Sequence, residues 1–196
     1  LLLHGVLCNA GIWHRLVRHL ASRGIDGVYA LSYGPPLASI EVFVEQVAAK
    51  IDAVAAMTGA HGVMIIAHSM GGLVARAYLR KHGAARIVRV LTIGTPHHGS
   101  VEASFGMGTS LAQLRPGNPW LEALNRGPLP SVPLVSLWSW HDSMVVPQTS
   151  ARLEGSVDVP LKGIGHNALL GDATVFALIE VEIAAARGGA VRGCPV

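Results

Sequence analysis

A serine between small residues follows a buried-strand pattern and precedes a helical pattern near the middle of the chain. Residues 63–72 read Val-Met-Ile-Ile-Ala-His-Ser-Met-Gly-Gly, with Ala67 two positions before Ser69 and Gly71 two positions after it. This spacing permits a sharp strand-to-helix turn with strained backbone angles, because bulky flanking side chains would collide across it. The pattern predicts that Ser69 projects from the turn as a nucleophile. A plain β–α turn with a capping serine is the alternative.

The composition is that of an ordered globular chain with few charges. The 196 residues are 51% hydrophobic and 14% charged, and they are most simply one domain. No apolar run reaches the roughly 18–20 residues of a membrane span, so no transmembrane segment is predicted. The formal net charge is +3, but the 15 Lys and Arg residues are scattered, and no nucleic-acid partner is predicted.

Two cysteines lie near the two ends of the chain. Cys8 and Cys194 have neither C-x-x-C nor zinc-binding spacing. A disulfide between them would suit a secreted or periplasmic protein, the location that the sequence favours, whereas two free thiols fit the same sequence. The chain begins without methionine, as a processed or truncated product would.

Apolar runs and helical stripes alternate along the chain. Six strands are predicted, at residues 1–3, 27–33, 62–67, 86–94, 132–138 and 157–161. Helices are predicted between them, around 13–20, over 40–55 with Ser39 as N-cap, over 73–81 and over 172–186. This alternation predicts an α/β fold, with a mostly parallel sheet of about six strands and helices on both faces. Residues 188–196 are predicted to form a loose tail.

Asp142 and His166 are the candidate partners of Ser69. A serine hydroxyl needs a base, and the base needs an orienting group. Asp142 follows the fifth predicted strand and His166 the sixth, so both are expected at the sheet edge where Ser69 lies. The chain order of the three is that of a Ser–Asp–His triad. Taken singly, each partner is more simply a hydrogen-bonded loop residue, and His141 is a rival base.

Backbone N–H groups beside Ser69 are predicted to stabilise an oxyanion. Met70 N–H lies at a helix N-terminus, where free amides favour negative charge. The loop after the first strand is expected to supply a second donor, Val6 N–H, with Leu7 N–H as the alternate. His4 is predicted to fix this loop by hydrogen bonds. An ordinary β–α turn is the alternative for this loop.

Together these segments resemble the lipase and esterase branch of the α/β-hydrolase superfamily. The matching segments run in the same order over nearly the whole chain, at 1–6, 67–72, 94–100, 141–145 and 163–170. Ala-His-Ser-Met-Gly-Gly is similar to the elbow of small bacillus-type lipases. Thr-Pro-His-His-Gly is similar to a segment of larger bacterial triacylglycerol lipases. The resemblance implies one α/β-hydrolase domain over 1–196, with Ser69 as nucleophile, Asp142 as acid, His166 as base, and Val6 and Met70 as oxyanion donors.

The sequence therefore predicts a serine hydrolase that cleaves carboxylic esters of lipid-like or short-to-medium acyl chains through an acyl-enzyme. No cofactor and no metal are predicted, and the partner is a small-molecule ester or lipid. Thioester cleavage, polyester cleavage or acyl transfer would use the same three residues. A non-catalytic binding module would not need all three. The oligomeric state is left open.

Residues 100–130 are predicted to form a short lid or the wall of an acyl site, because long excursions are usually functional or disordered. The same segment would equally serve as a cap on the core. Residues predicted to contact substrate, here and elsewhere, are Leu7, His68, His98, Phe105, Met107 and Leu111. His68 is also expected to help hold the turn at Ser69. His97 is expected near the site, whereas His14, His19, His61 and His82 are expected on the surface.

Overall fold

The computed structural model describes residues 1–129 and 131–190, and its centre is a six-stranded sheet. The strands are β1 (Leu2–Leu3), β2 (Ala30–Leu31), β3 (Val63–His68), β4 (Ile87–Ile93), β5 (Leu134–Ser139) and β6 (Val157–Leu161). Neighbouring strands pair in parallel in the order β2-β1-β3-β4-β5-β6. The predicted α/β fold is confirmed.

Helices connect the strands and cover both faces of the sheet. They are α1 (His14–Ser22), α2 (Ile40–Thr58), α3 (Met70–His82), α4 (Thr109–Gln113), α5 (Pro119–Asn125) and α6 (Ala173–Ala190). On one face, Phe43 of α2 and Leu73 of α3 are buried in one apolar cluster. On the other face, Leu20 of α1 and Ile179 of α6 belong to a second cluster. The near-continuous apolar runs of β3 and β5 follow from this two-sided burial.

Several predicted boundaries differ from those of the structure. The second strand was expected over 27–33, but β2 contains only Ala30–Leu31, because its one neighbour, β1, offers only two residues to pair with. Ser39 is the N-cap of α2, as predicted, and its hydroxyl accepts a hydrogen bond from Glu41 N at 3.3 Å. Helix α6 continues to Ala190, so the prediction of a loose tail is wrong for 188–190. Residues 191–196, which include Cys194, lie outside the described part of the chain.

The segment 100–129 contains a 3₁₀ turn, Val101–Phe105, and the two short helices α4 and α5. Leu114 and Leu121 are buried in the α2–α3 cluster, and Leu111 and Trp120 pack against it. By contrast, Phe105 is 85% exposed and Met107 is 86% exposed. Most apolar side chains of this segment therefore extend the core, and the loop between the 3₁₀ turn and α4 faces solvent.

The strand order creates a crevice at the carboxyl edge of the sheet. From β1 the chain runs to β2 on one side and then returns to β3 on the other. The loops that leave β1 and β3 therefore diverge on either side of this switch point. Ligands of open α/β sheets bind at such crevices. The residues that follow β1 and β3, namely His4–Leu7 and Ser69, border it.

Two glycines allow α3 to lie close to the sheet directly after Ser69. A Cβ on Gly71 would lie 2.7 Å from the Leu3 carbonyl oxygen, so a side chain there would strike the backbone of β1. A Cβ on Gly72 would lie 2.1 Å from Thr95 Oγ1. Position 71 thus needs a small residue, as predicted, because α3 touches the first strand there. Position 72 needs glycine because α3 touches the loop after β4 there.

We expect Gly72→Ala to lower the free energy of unfolding by about 1–3 kcal/mol, because the added methyl group overlaps Thr95. The matched control is Gly188→Ala in α6, where an added Cβ meets nothing within 4 Å. That substitution should raise stability by up to about 1 kcal/mol through helix propensity. Urea denaturation of both variants measures the difference, and equal stabilities of Gly72→Ala and the parent would contradict the packing argument.

Candidate active site

The backbone at Ser69 adopts the strained conformation predicted from its flanking residues. Its φ is 56° and its ψ is −128°, a region that side-chain-bearing residues rarely occupy. Three hydrogen bonds hold it there. Ser69 N donates to Ile93 O at 2.9 Å, and Ser69 O accepts from Thr95 Oγ1 at 2.8 Å and from Gly72 N at 3.0 Å. The turn is thus fixed to the end of β4 and the loop that follows it.

Asp142 and His166 form a buried pair in loops that leave β5 and β6. His166 Nδ1 lies 2.7 Å from Asp142 Oδ2, and the side chains are 3% and 2% exposed. Asp142 Oδ1 accepts two further hydrogen bonds, from Met144 N at 2.8 Å and Val145 N at 2.9 Å. Because a carboxylate only accepts, Nδ1 of His166 carries the proton and Nε2 is left as an acceptor.

The surroundings of Asp142 keep its carboxyl ionised. Burial by itself raises the pKa of Asp142, but the hydrogen bond and charge of His166 and the two backbone N–H donors outweigh it. The net result is a pKa of Asp142 below its ordinary value. A charged Asp142 both orients the His166 ring and stabilises the imidazolium form of that ring.

His68 links the turn at Ser69 to the loop that carries His166. Its Nε2 lies 3.3 Å from the carbonyl oxygen of His166, and the two imidazole rings are in contact with centroids 4.6 Å apart. His68 Nε2 therefore donates, and Nδ1 is a buried acceptor without a donor among the described residues. Burial, together with the nearby His166, lowers the pKa of His68 to about 3. No hydrogen bond of the described residues joins the Ser69 hydroxyl to His166 Nε2.

The loop after β1 lies directly against Ser69. A Cβ on Gly5 would lie 2.9 Å from Ser69 Cβ and 3.4 Å from its Oγ, so glycine is needed for this approach. His4 anchors the loop. Its Nδ1 is 2.8 Å from Gly5 O, its Nε2 accepts from Tyr33 N at 3.3 Å, and its ring stacks on the Tyr33 ring at 3.9 Å. The predicted bracing role of His4 fits these contacts.

Val6 and Met70 lie in the two segments that directly follow β1 and β3. Across residues 1–129 and 131–190, neither N–H has a backbone or side-chain acceptor. Met70 is the first residue of α3 and Val6 follows the loop glycine. Leu7, the alternate donor, has a φ of 54° and is 69% exposed. Like the N–H groups of Val6 and Met70, the N–H group of Leu7 has no acceptor among the described residues.

The other predicted contact residues are dispersed. Phe105 and Met107 are exposed on the loop before α4, and Leu111 packs against the core. His98 is exposed and lines a different cavity, together with Arg76. His97 is fully buried. His141, the rival base, is engaged elsewhere, since its Nδ1 accepts from Gly163 N at 2.9 Å.

Sequence reasoning missed three residues that support the site. Thr95 holds the carbonyl of Ser69, and Gln148 Nε2 donates to Asp142 O at 2.8 Å. Gly94 has a φ of +56°, and a Cβ there would lie 3.2 Å from both Asp142 Oδ2 and His166 Nδ1. The available signal was the Gly-Thr pair that directly follows β4, where a glycine makes room for neighbouring loops.

The described ranges, 1–129 and 131–190, contain no group of three or more His, Cys, Asp or Glu side chains arranged to hold a metal ion. None of the helices in these ranges is both long enough and apolar enough to span a bilayer.

We expect acid to destabilise the fold partly through His68. Its pKa of about 3 lies below that of an unfolded histidine, about 6.5, so the unfolded state binds the proton first as the pH falls. Between pH 7 and pH 5 this removes about 2 kcal/mol from the free energy of unfolding.

The variant His68→Gln should lose about 2 kcal/mol less than the parent over that interval, as measured by urea denaturation at each pH. His61→Gln, at an exposed position, controls for removal of a histidine as such. Parallel pH curves for the parent and His68→Gln would show that His68 does not titrate in this way.

The fold is similar to that of solved lipase structures. Lipase B of Aspergillus fumigatus superposes with a TM-score of 0.81 at 22% identity, over 91% of this chain and 50% of the other. The mature form of lipase BlEst2 of Bacillus licheniformis gives a TM-score of 0.76 at 16% identity, over 92% and 89%. These likenesses concern the fold.

In sequence, a triacylglycerol lipase of Pseudarthrobacter phenanthrenivorans is 46% identical over 61 residues, which are 31% of this chain. The matched part is only 19% of that relative's length, so the chain covers a minor part of it. The resemblance to the lipase and esterase branch of the α/β-hydrolase superfamily is confirmed. Residues 26–162, more than half of the chain, match the family described as the PGAP1-like alpha/beta domain, and the chain therefore belongs to this family.

Proposed function

We propose that this protein is a serine hydrolase of carboxylic esters, with Ser69, Asp142 and His166 as its catalytic triad. The observation that carries the proposal is the buried Asp142–His166 hydrogen bond of 2.7 Å, on loops at the same sheet edge as the strained Ser69. Such a pair is the orienting half of a triad. The lipase names of relatives and structural neighbours support ester bonds as the target.

In the proposed reaction, Ser69 Oγ attacks the ester carbonyl carbon while its proton passes to His166 Nε2. The imidazolium, held at Nδ1 by Asp142, then protonates the leaving alcohol, and an acyl-enzyme remains. Water gives a proton to His166 and attacks the acyl carbon. His166 then passes this proton to Ser69 Oγ as the bond between Oγ and the acyl carbon breaks, which releases the acid and restores the Ser69 hydroxyl. The hydrogen bond between Ser69 and His166 is expected to form when substrate closes the site, since such contacts are often long without it.

The two unpaired backbone donors complete this proposal. Val6 N–H and Met70 N–H would bind the oxygen that becomes negative as Ser69 attacks. Met70 lies at the positive end of the α3 dipole, which adds to the stabilisation. Removal of one oxyanion donor typically costs ~10²–10³ in rate, so the loop after β1 would contribute to catalysis beside the triad.

Exposed apolar side chains on the segments that follow three of the strands favour an apolar acyl group. Leu7 follows β1, Phe105 and Met107 follow β4, and Met144 follows β5, and their exposures range from 44% to 86%. Exposed apolar surface often marks a ligand site, and these side chains would contact the acyl chain. We therefore propose lipid-like or medium-length acyl esters as the substrate class.

We expect Ser69→Ala to lower turnover of p-nitrophenyl esters by about 10⁶, and Asp142→Asn by about 10⁴. Ser22→Ala, at an exposed helix end, is the matched control and should retain the parental rate. The rate of p-nitrophenol release, measured with each purified and folded variant, gives these turnover values. Retention of a tenth of the parental activity by Ser69→Ala would remove Ser69 from the role of nucleophile.

We expect the double variant Phe105→Ser, Met107→Ser to lower kcat/KM for the eight-carbon ester about threefold to tenfold, and that for the acetate much less, because apolar contact is lost. The control is Met57→Ser on α2, which removes an apolar side chain that is 64% exposed. A series of p-nitrophenyl esters of graded chain length measures the effect. A maximum at two to four carbons with no action on emulsified triglyceride would exclude the lipid-like substrate class.

A further inference from the structure

A second polar cavity lies beside α3, away from the proposed triad. Its volume is about 360 Å³, and its polar lining residues are Arg76, His98, Asn125, Arg126 and Glu154. None of Ser69, Asp142 and His166 lines it. Arg76 follows Ser69 by about two turns of α3, or roughly 10 Å along the helix axis.

Arg76 is a buried cation without a carboxylate partner. It is 4% exposed, and its Nη2 donates to Leu124 O at 3.3 Å while Nη1 donates to His97 Nδ1 at 3.5 Å. None of the ion pairs in the described ranges includes it. A guanidinium has five N–H groups, and a buried charge left unpaired is costly.

Neither of the groups that hydrogen-bond to Arg76 carries a negative charge. Burial, followed by the charge of Arg80, lowers the pKa of Arg76 to about 10. His97 is neutral, since burial first and then Arg76 lower its pKa, and its Nε2 lies 3.2 Å from Thr92 Oγ1. Burial and Arg76 also lower the pKa of His98 at the cavity wall.

Two more residues that line the cavity have polar atoms without a partner among the described residues. Arg126 is exposed and makes no ion pair with any described residue. Asn125 Nδ2 donates to His97 O at 3.0 Å, which fixes the amide orientation, and its buried Oδ1 is then left without a donor. Glu154, the carboxylate at this wall, is exposed and does not pair with Arg76.

We propose that this cavity binds a small molecule through its phosphate group, with Arg76 and Arg126 on the phosphate oxygens and Asn125 Oδ1 accepting from its remaining O–H. The planar fork of a guanidinium matches phosphate geometry. A singly protonated phosphate supplies both the anionic oxygens that the arginines lack and the donor that Asn125 lacks. A carboxylate at neutral pH supplies only the first.

The first test is thermal unfolding of the chain in inorganic phosphate at constant ionic strength, with acetate and sulfate in parallel. We expect a saturable rise in Tm of about 3–6 °C with phosphate and a smaller one with the other two anions. Arg126→Gln should weaken the apparent phosphate affinity about tenfold, since it removes a charge-assisted hydrogen bond. Arg18→Gln, an exposed arginine on α1, is the matched control and should respond like the parent.

A phosphate response that is unchanged in Arg126→Gln, or no larger than the response to sulfate, would overturn the proposal. An equal or larger response to acetate would overturn the assignment to phosphate. Because binding is read from Tm, these outcomes are independent of whether the protein hydrolyses esters.

The variant Glu154→Gln distinguishes phosphate binding from an internal ion pair between Glu154 and Arg76. If the cavity takes phosphate, removal of this carboxylate leaves Tm unchanged without phosphate and tightens phosphate binding. If Glu154 instead neutralises Arg76, the same variant lowers Tm and phosphate then restores nothing, which would overturn the proposal. Arg76→Gln should abolish the phosphate response. If Arg76→Gln fails to fold, the Arg126→Gln and Glu154→Gln variants still test whether the cavity binds phosphate.

Discussion

The strained backbone at Ser69 is the constraint on which the rest of this site depends. A positive φ at a serine persists only where its surroundings over-determine it, and here β4, the loop after β4 and α3 all bind the peptide groups on either side. Close packing around Gly71 and Gly72, which leaves no space for a side chain at either position, offsets the free-energy cost of the strained turn. These contacts hold Ser69 at the edge of the sheet, outside the regular backbone conformation of the helix that follows it.

The same edge explains how distant residues meet. In a parallel sheet, every loop that follows a strand begins at the same edge of the sheet. Asp142 and His166 therefore come together although 24 positions separate them. The order of strands then leaves a gap between the loops after β1 and β3. The backbone N–H groups of Val6 and Met70, in the segments that follow these two strands, have no acceptor among the described residues. Under the proposed function, these two N–H groups would bind the oxygen of the substrate that becomes negative.

The alternation of apolar runs and helical stripes was sufficient to predict the parallel sheet and the Ser, Asp and His loops, because buried strands and their exits have strong local signals. The extent of β2 was not predictable, since an edge strand is only as long as its neighbour allows. Nor were Gly94 and Thr95, whose roles arise only when β4 lies between β3 and β5. Arg76 was missed because a helical stripe does not reveal which of its polar members lies inward.

The loop after β4 serves both polar regions of the molecule through different residues. Thr95 holds the carbonyl of Ser69 and Gly94 makes room for the Asp142–His166 pair, whereas His97 turns to Arg76 and His98 reaches the cavity wall. His97 connects the two, because its Nδ1 accepts from Arg76 and its Nε2 donates to Thr92 within β4. A protonated His97 would repel Arg76 and lose an acceptor. Burial that keeps His97 neutral is therefore a condition for one short loop to support a strained serine and a buried arginine together.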